Sequence, residues 1–225
     1  MNYIMTLKEF ETLVVLLGGH EVFGMQELAP TLSREDIVEA VARLTRRGVL
    51  IPEENRFHCK PEVRTLVQRA ISPQRTMLIT ATDGKKPQIC GYFVNERCTL
   101  LERIPLRKGE YRLRQRDAQE LTEELAEDGY LPEDSKTAEE ELPDTPRFLH
   151  DTQETLIAHG EEKGLRFWVD FFDGQTHRQQ ARGVVYQQDH RLLFATLTEE
   201  KEQVAVYHQK SFSQWLCRTM KGEAI

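Results

Sequence analysis

Two stretches, TMLITATDG (Thr76–Gly84) and LRFWVDFFDG (Leu165–Gly174), are apolar runs that stop at the same dipeptide, Asp-Gly, ninety residues apart. Glycine takes φ > 0 at little steric cost, so Asp-Gly between apolar runs predicts a hairpin turn. The order around each turn also recurs. Period-two strands are expected near 76–82, 88–94 and 99–105. A short irregular edge, GEYRLR, follows, and then a helix, DAQELTEELAEDG, with Ala118, Leu121 and Leu125 as its stripe. After a break, strands are expected near 165–172, 181–187 and 191–198, then an apolar bridge, QVAVYH. The final helix, SFSQWLCRTMKG, carries Phe212, Trp215, Leu216 and Met220 on one face. Leu100-Leu101 corresponds to Leu192-Leu193, and Leu121 and Leu125 to Phe212 and Leu216, with only one or two residues of drift. Either unit alone leaves a sheet edge unpaired and one face half covered. Joining the two about a pseudo-twofold axis removes both liabilities.

Ahead of the repeat the period is helical. In MTLKEFETLVVLL, residues 5–17, Phe10, Leu13, Val14 and Leu17 share a stripe that ends at Gly18-Gly19. Ser33 and Asp36 form a capping-box variant opening a helix with Ile37, Val38, Val41 and Leu44 on one face, closed by Gly48. A strand, a Glu-Glu-Asn turn and a second strand follow in VLIPEENRFHC, and a helix starts at Pro61. This is a winged-helix-like order. The fold class is therefore α+β: a winged-helix-like helical segment (1–75), a first β-sheet/helix half (76–131), an acidic mobile linker (132–147) and a second, quasi-symmetric antiparallel half (148–225). From Asp117 to Glu162 there are sixteen Asp or Glu and two Lys or Arg, punctuated by Pro132, Pro143 and Pro146. Such composition buries too little apolar surface to offset the entropy of ordering.

Chemistry is harder to find. The four cysteines, Cys59, Cys90, Cys98 and Cys217, form no CxxC pair, and in a chain with no basic leader they suit a reducing compartment. Cys90 and Cys98 could face each other on adjacent strands, or be two buried thiols. The seven histidines make no HExxH and no zinc-type spacing with cysteine, and no G-x-S-x-G, P-loop or dinucleotide glycine pattern occurs. The expectation is a non-enzyme without metal or cofactor. No apolar run approaches the roughly eighteen residues of a membrane span, so a soluble cytoplasmic protein with no membrane insertion is expected. A net charge of −7 argues against a nucleic-acid footprint over the whole chain. The helix from Ser33 to Arg47 would be the recognition helix of a winged-helix regulator. Its N-terminal part, which normally meets base edges, carries Glu35, Asp36 and Glu39, while Arg43, Arg46 and Arg47 lie at the end that suits the helix dipole. A DNA-binding regulator with a C-terminal sensor or dimerisation region stands as the alternative.

One sheet face looks built for a protein partner. In LRFWVDFF, Leu165, Phe167, Val169 and Phe171 alternate with Arg166, Trp168, Asp170 and Phe172. The second set mixes charge with large aromatics, as protein-binding surfaces do. Arg166, Trp168 and Phe172, with Tyr186 on the neighbouring strand and Trp215 on the last helix, are the candidate protein-binding residues. A plain covering of Trp168 and Phe172 by the terminal helix is the competing expectation.

The layout resembles the EspG family of cytoplasmic chaperones of type VII (ESX) secretion systems. The resemblance is carried by the helix end in AVARLTRRGVL (Leu44 and Arg47-Gly48), the turn at Asn55, the helix from Pro61 to Ile71 before Pro73, and the two sheet-and-helix halves. The pattern RGVVYQQDHRLLFATLTEEKEQVAVY in the second half adds to it. The acidic insertion near 132–146 departs from the family's compact pattern. The resemblance implies a non-catalytic chaperone or adaptor whose partner is a helical-hairpin secretion substrate kept soluble before export.

Overall fold

Strand β4 (Arg75–Ala81) lies antiparallel to strand β8 (Leu165–Asp173), and this pair joins the two halves of the chain. Within it Ile79 faces Val169, its own counterpart at the ninety-residue offset, so the axis relating the halves passes between them. The computed structural model describes residues 2–24, 32–54, 56–82, 86–105, 107, 109–134 and 142–223.

In chain order the elements are β1 (Asn2–Thr6), α1 (Leu7–Leu16), α2 (Arg34–Arg46), β2 (Leu50–Glu53), β3 (Arg56–Cys59), α3 (Pro61–Ile71) and β4. The first half continues with β5 (Ile89–Val94), β6 (Arg97–Arg103), β7 (Glu110–Arg116) and α4 (Ala118–Glu127). A 3-10 turn (Arg147–His150) and α5 (Gln153–His159) precede β8, β9 (Gln179–Gln188), β10 (Arg191–Thr198), β11 (Glu202–Val206) and α6 (Gln209–Lys221). The large sheet runs β1-β7-β6-β5-β4-β8-β9-β10-β11, and β2-β3 is a separate hairpin. Apart from β1, the order is a palindrome about the β4·β8 pair. The expected α+β class with two quasi-symmetric antiparallel halves is the observed one, joined by edge pairing.

Three expectations change. The helix expected over 5–17 begins only at Leu7: Met5 and Thr6 belong to β1, which pairs with β7 from Asn2–Arg114 to Thr6–Glu110, and Thr6 then caps α1 in a full capping box with Glu9. With β1 outside it, the stretch GEYRLR is an interior strand rather than an irregular edge. Its period was hidden because Arg112, Arg114 and Arg116 alternate with Tyr111 and Leu113. Arg114, 3% exposed, is neutralised in place by Glu102 at 3.1 Å and Glu124 at 3.0 Å. The bridge QVAVYH supplies the edge strand β11, which pairs with β10.

One face of the sheet is covered by α4 and α6. Met77, Ile79, Phe93, Leu100, Phe167, Val169 and Phe171 pack there against Leu121, Leu125, Phe212, Trp215 and Leu216. Trp215 lies so close to the backbone of β9 that a Cβ at Gly183 would sit 2.4 Å from its ring, which is why a glycine occupies the middle of a strand. Gly91 does the same in β5 beneath Met77 and Cys98. At the far end of α6, the guanidinium of Arg75 donates to the carbonyls of Thr219 and Met220, both at 2.6 Å. The opposite face divides in two. The N-terminal segment covers the first half through Phe10, Leu13, Val63, Leu66 and Val67, packed on Leu78, Tyr92, Leu101 and Leu113. Over the second half lie the 3-10 turn and α5, which were not anticipated.

The opening pair of Asp-Gly turns resolves unevenly. Asp83-Gly84 falls outside the described residues. At Asp173-Gly174 the turn is present, with the Asp173 carboxylate accepting from the amides of Gln175 at 3.0 Å and Thr176 at 2.7 Å. The reason for glycine is not left-handed backbone, since Gly174 is not among the positive-φ glycines. A Cβ there would stand 2.0 Å from the Pro73 carbonyl, and the Gly174 amide donates to Gln74 O at 2.9 Å. The glycine admits the crossing between the halves. The middle of the acidic linker, 135–141, lies outside the described residues; within the rest, Asp134 accepts from the Gln209 amide at 2.6 Å and so caps α6.

Candidate protein-binding surface

A bulge between Leu165 and Phe167 in the β8·β9 ladder breaks the alternation read from the sequence. It turns Leu165 onto the face of Trp168 and leaves Arg166 exposed, donating to Gln187 on β9. The five candidate residues therefore occupy different settings. Trp168 (1% exposed) and Tyr186 (1%) share a cluster with Leu165, Val184, Leu193 and Ala195. Phe172, 9% exposed, belongs to the cluster under the N-terminal segment, where Phe23 meets it edge-on at 5.0 Å. Trp215, 6% exposed, is on the opposite face, edge-on to Phe171 and Phe194. The structure thus brings Trp168 and Tyr186 together with Arg166 at the rim, and separates Phe172 and Trp215 from them. The terminal helix does not cover Trp168 and Phe172; it lies on the other side of the sheet.

What covers Trp168 and Tyr186 is the strap formed by residues 147–159. Leu149 and Leu156 are fully buried against the cluster, and Phe148 meets Tyr186 edge-on at 5.1 Å and 81°. Its attachment is polar. Asp170, 0% exposed, is bidentate to Arg182, 2% exposed, with Nε–Oδ1 at 2.5 Å and Nη2–Oδ2 at 3.1 Å. Arg182 Nη1 donates to the carbonyls of Leu149 at 3.1 Å and Asp151 at 2.5 Å. Gln153 and Gln179 donate to the remaining lone pairs of Asp170 at 3.0 and 3.2 Å. A charge alternating with aromatics read as an open surface because the sequence does not show that Asp170 finds its counter-charge directly opposite on β9. An Arg facing an Asp across a predicted β8–β9 ladder was the signal available; Asp170 and Arg182 are direct partners in the register. Burial pushes the Tyr186 phenol up to about 12.

The other expectations about chemistry are placed as follows. Cys90 and Cys98 point to opposite faces of the sheet, in different clusters, and all four cysteines are free thiols. Burial raises both buried thiols, Cys90 to about 12. Among the described residues no group of three or more His, Cys, Asp or Glu is placed to hold a metal ion, and no helix is long and apolar enough to cross a membrane. The three arginines at the end of α2 are engaged within the chain: Arg43 with Glu39 at 2.5 Å, Arg46 with the Ala42 carbonyl at 3.4 Å, and the C-cap Arg47 with Glu9 at 3.2 Å. A cavity of about 330 Å³ beside them is lined by Thr6, by Arg43, Arg47 and Arg107, and by Glu9 and Glu110.

No family model and no curated protein matches the chain in sequence. Solved structures do match. One of them is EspG5, the type VII secretion system chaperone of Mycobacterium tuberculosis, solved in complex with a PE25–PPE41 dimer. The likeness covers 96% of this chain and 94% of that one, with a TM-score of 0.61 at 9% identity. Over 96% of its length the chain has the fold of that secretion chaperone.

Proposed function

We propose that the chain is a non-catalytic cytoplasmic chaperone or adaptor that binds a helical-hairpin substrate of a type VII-like secretion system. The observation that carries this reading is the extent of the shared fold: both chains are spanned almost completely. The sheet supports it physically. A rigid nine-stranded platform, pinned by an Arg–Asp pair and a Gly183–Trp215 contact, holds aromatic side chains in place at little further entropic cost on binding. In this reading Trp168 and Tyr186 form the contact floor and Arg166 its open end. Phe172 lies at the boundary with the N-terminal segment, and Trp215 backs the same strands from behind.

The test is affinity capture with the tagged full chain in the host that encodes it, followed by mass spectrometry and light scattering on the purified complex. Recovery of a secreted protein with a helical hairpin in a defined complex is expected. Enrichment of DNA and transcription proteins, together with a duplex mobility shift at micromolar chain, would replace this reading with the regulator alternative.

A further inference from the structure

The strap of residues 147–159 is an occupant that fits its groove incompletely. Its apolar contacts are good: Leu149 and Leu156, seven residues apart, are both fully buried. Its polar fit is incomplete: the Arg182–Asp170 pair is satisfied through Leu149 O, Asp151 O and Gln153, but two donors of the floor are not. Trp168 Nε1 and Tyr186 OH are buried beneath it and have no hydrogen-bond partner among the described residues. Two buried donors left unsatisfied subtract from the stability of that packing. On the outer side, α5 presents Ile157, 62% exposed, to solvent. The buried guanidinium of Arg182 meanwhile holds the strap by two main-chain carbonyls rather than by side chains. Such a contact is indifferent to the sequence that supplies the carbonyls. Of the strap's side chains, Gln153 donates to the buried Asp170 at 3.0 Å, while the other polar pairs are partly or well exposed: Lys163 with Asp151 at 2.5 Å and His150 with Glu202 at 2.9 Å.

We propose that residues 147–159 are a built-in placeholder, and that the groove floored by Trp168, Val184, Tyr186 and Leu193 is the docking site for an amphipathic helical segment of the protein partner, which displaces them. The inference rests on the chaperone reading above and specifies its site. The strap itself shows the chemistry the groove accepts: a turn with one buried apolar residue, Leu149, and two carbonyls for Arg182, then a short helix with a second, Leu156. A partner segment that adds an acceptor opposite Trp168 Nε1 and Tyr186 OH satisfies what the strap leaves open. That difference gives the exchange its direction, while the intramolecular strap keeps the aromatic floor covered when no partner is present. Tethering gives the strap a high effective concentration, so weak segments are excluded.

The probe is a labelled peptide spanning residues 144–163 of this chain, titrated by fluorescence anisotropy into the full-length protein. Against the wild type little binding is expected. Against a full-length Leu149→Asp/Leu156→Asp variant, whose own strap is disfavoured, the peptide should bind at least tenfold more tightly. Adding Trp168→Ala to that variant should abolish the gain. A folded double variant that fails to bind the peptide overturns the proposal, and so does one that loses its near-UV circular dichroism, since the strap is then part of the core. Dimerisation of the double variant by light scattering would assign the groove to a second copy instead. Native-state hydrogen exchange of the wild type gives an independent reading. The amides of 153–159 should exchange through local opening, well before those of β8 and β9; exchange only with global unfolding would refute a displaceable strap. Failure on any of these counts leaves the affinity-capture result, and with it the chaperone reading, to be judged separately.

Discussion

The Asp170–Arg182 pair offers the sharpest test of how the second half is held together. Both side chains are essentially solvent-free, at 0% and 2% exposure, and every polar atom of the pair is engaged. Removing one member of a buried pair leaves the other charge uncompensated, which typically costs about 3–5 kcal/mol. Asp170→Leu leaves Arg182 with two carbonyls and no counter-ion. Arg182→Met leaves Asp170 with two amide donors and releases the strap's carbonyl anchors. Each single variant should therefore lose about 3–5 kcal/mol. In a chain of this length that lowers Tm by about 10 °C, at roughly 2–4 °C per kcal/mol. The double variant removes both charges together, and what it still loses is the donor to Leu149 O and Asp151 O, worth about 1 kcal/mol per hydrogen bond. It should therefore be more stable than either single variant, with a coupling energy of several kcal/mol. The assay is urea unfolding followed by far-UV circular dichroism and by tryptophan fluorescence, since Trp168 and Trp215 report on opposite faces of the sheet. Additive losses, with the double variant equal to the sum of the singles within about 0.5 kcal/mol, would show that the two groups do not interact as described.

Other consequences follow from particular contacts. Gly183→Ala places a methyl 2.4 Å from the Trp215 ring, and overpacking of this kind costs about 1–3 kcal/mol; a fall in Tm that Trp215→Phe does not partly relieve would count against the contact. Glu11 is 7% exposed with both carboxylate oxygens unpartnered among the described residues, and burial, reinforced by the nearby Asp36 carboxylate, raises its proton affinity. The folded state then binds more protons than the unfolded one, so this group's contribution falls as pH rises from the ordinary carboxylate value through the raised one. Glu11→Gln should raise Tm at neutral pH, with the gain vanishing in acid; a gain independent of pH would refute the assignment. Arg75→Ala removes two donors from the last carbonyls of α6, at about 1–3 kcal/mol for charge-assisted bonds, and should speed amide exchange over residues 218–222 selectively. Cys59 and Cys217, partly exposed, should react with a thiol reagent in the native state, whereas Cys90 and Cys98 should need denaturant.

Much of the architecture was legible because it is local. Ser33 and Asp36, Pro61, Gly18 and Gly48 mark helix ends through backbone chemistry that needs no distant partner, and the structure ends those helices at the same places. Period-two patterning likewise announced the six strands of the two hairpin sets and, with the helices that follow, the repeated unit. Where a pattern was spoiled, a long-range partner was the cause. Arg112, Arg114 and Arg116 obscured β7 because Glu102 and Glu124 neutralise them only in three dimensions. Asn2–Thr6 is too short for a period to declare itself, although Tyr3, Ile4 and Thr6 favour strand, and it becomes a strand because β7 offers it an edge.

The candidate surface shows the same division more plainly. Alternation placed Trp168 and Asp170 on one face of β8 and Phe167 and Phe171 on the other, and that is where they lie. Whether a face is open or covered is a different property, because it depends on which remote segment reaches it. Period and capping are set by neighbours one to four residues apart, so the chain alone determined two like halves of strands and a helix behind a helical segment. Tertiary structure decided the rest: that the halves meet along β4 and β8, that Arg182 cancels Asp170, and that residues 147–159 come to rest over the aromatic floor. Burial and charge pairing are settled by contacts between residues far apart in the chain, and no local pattern records those.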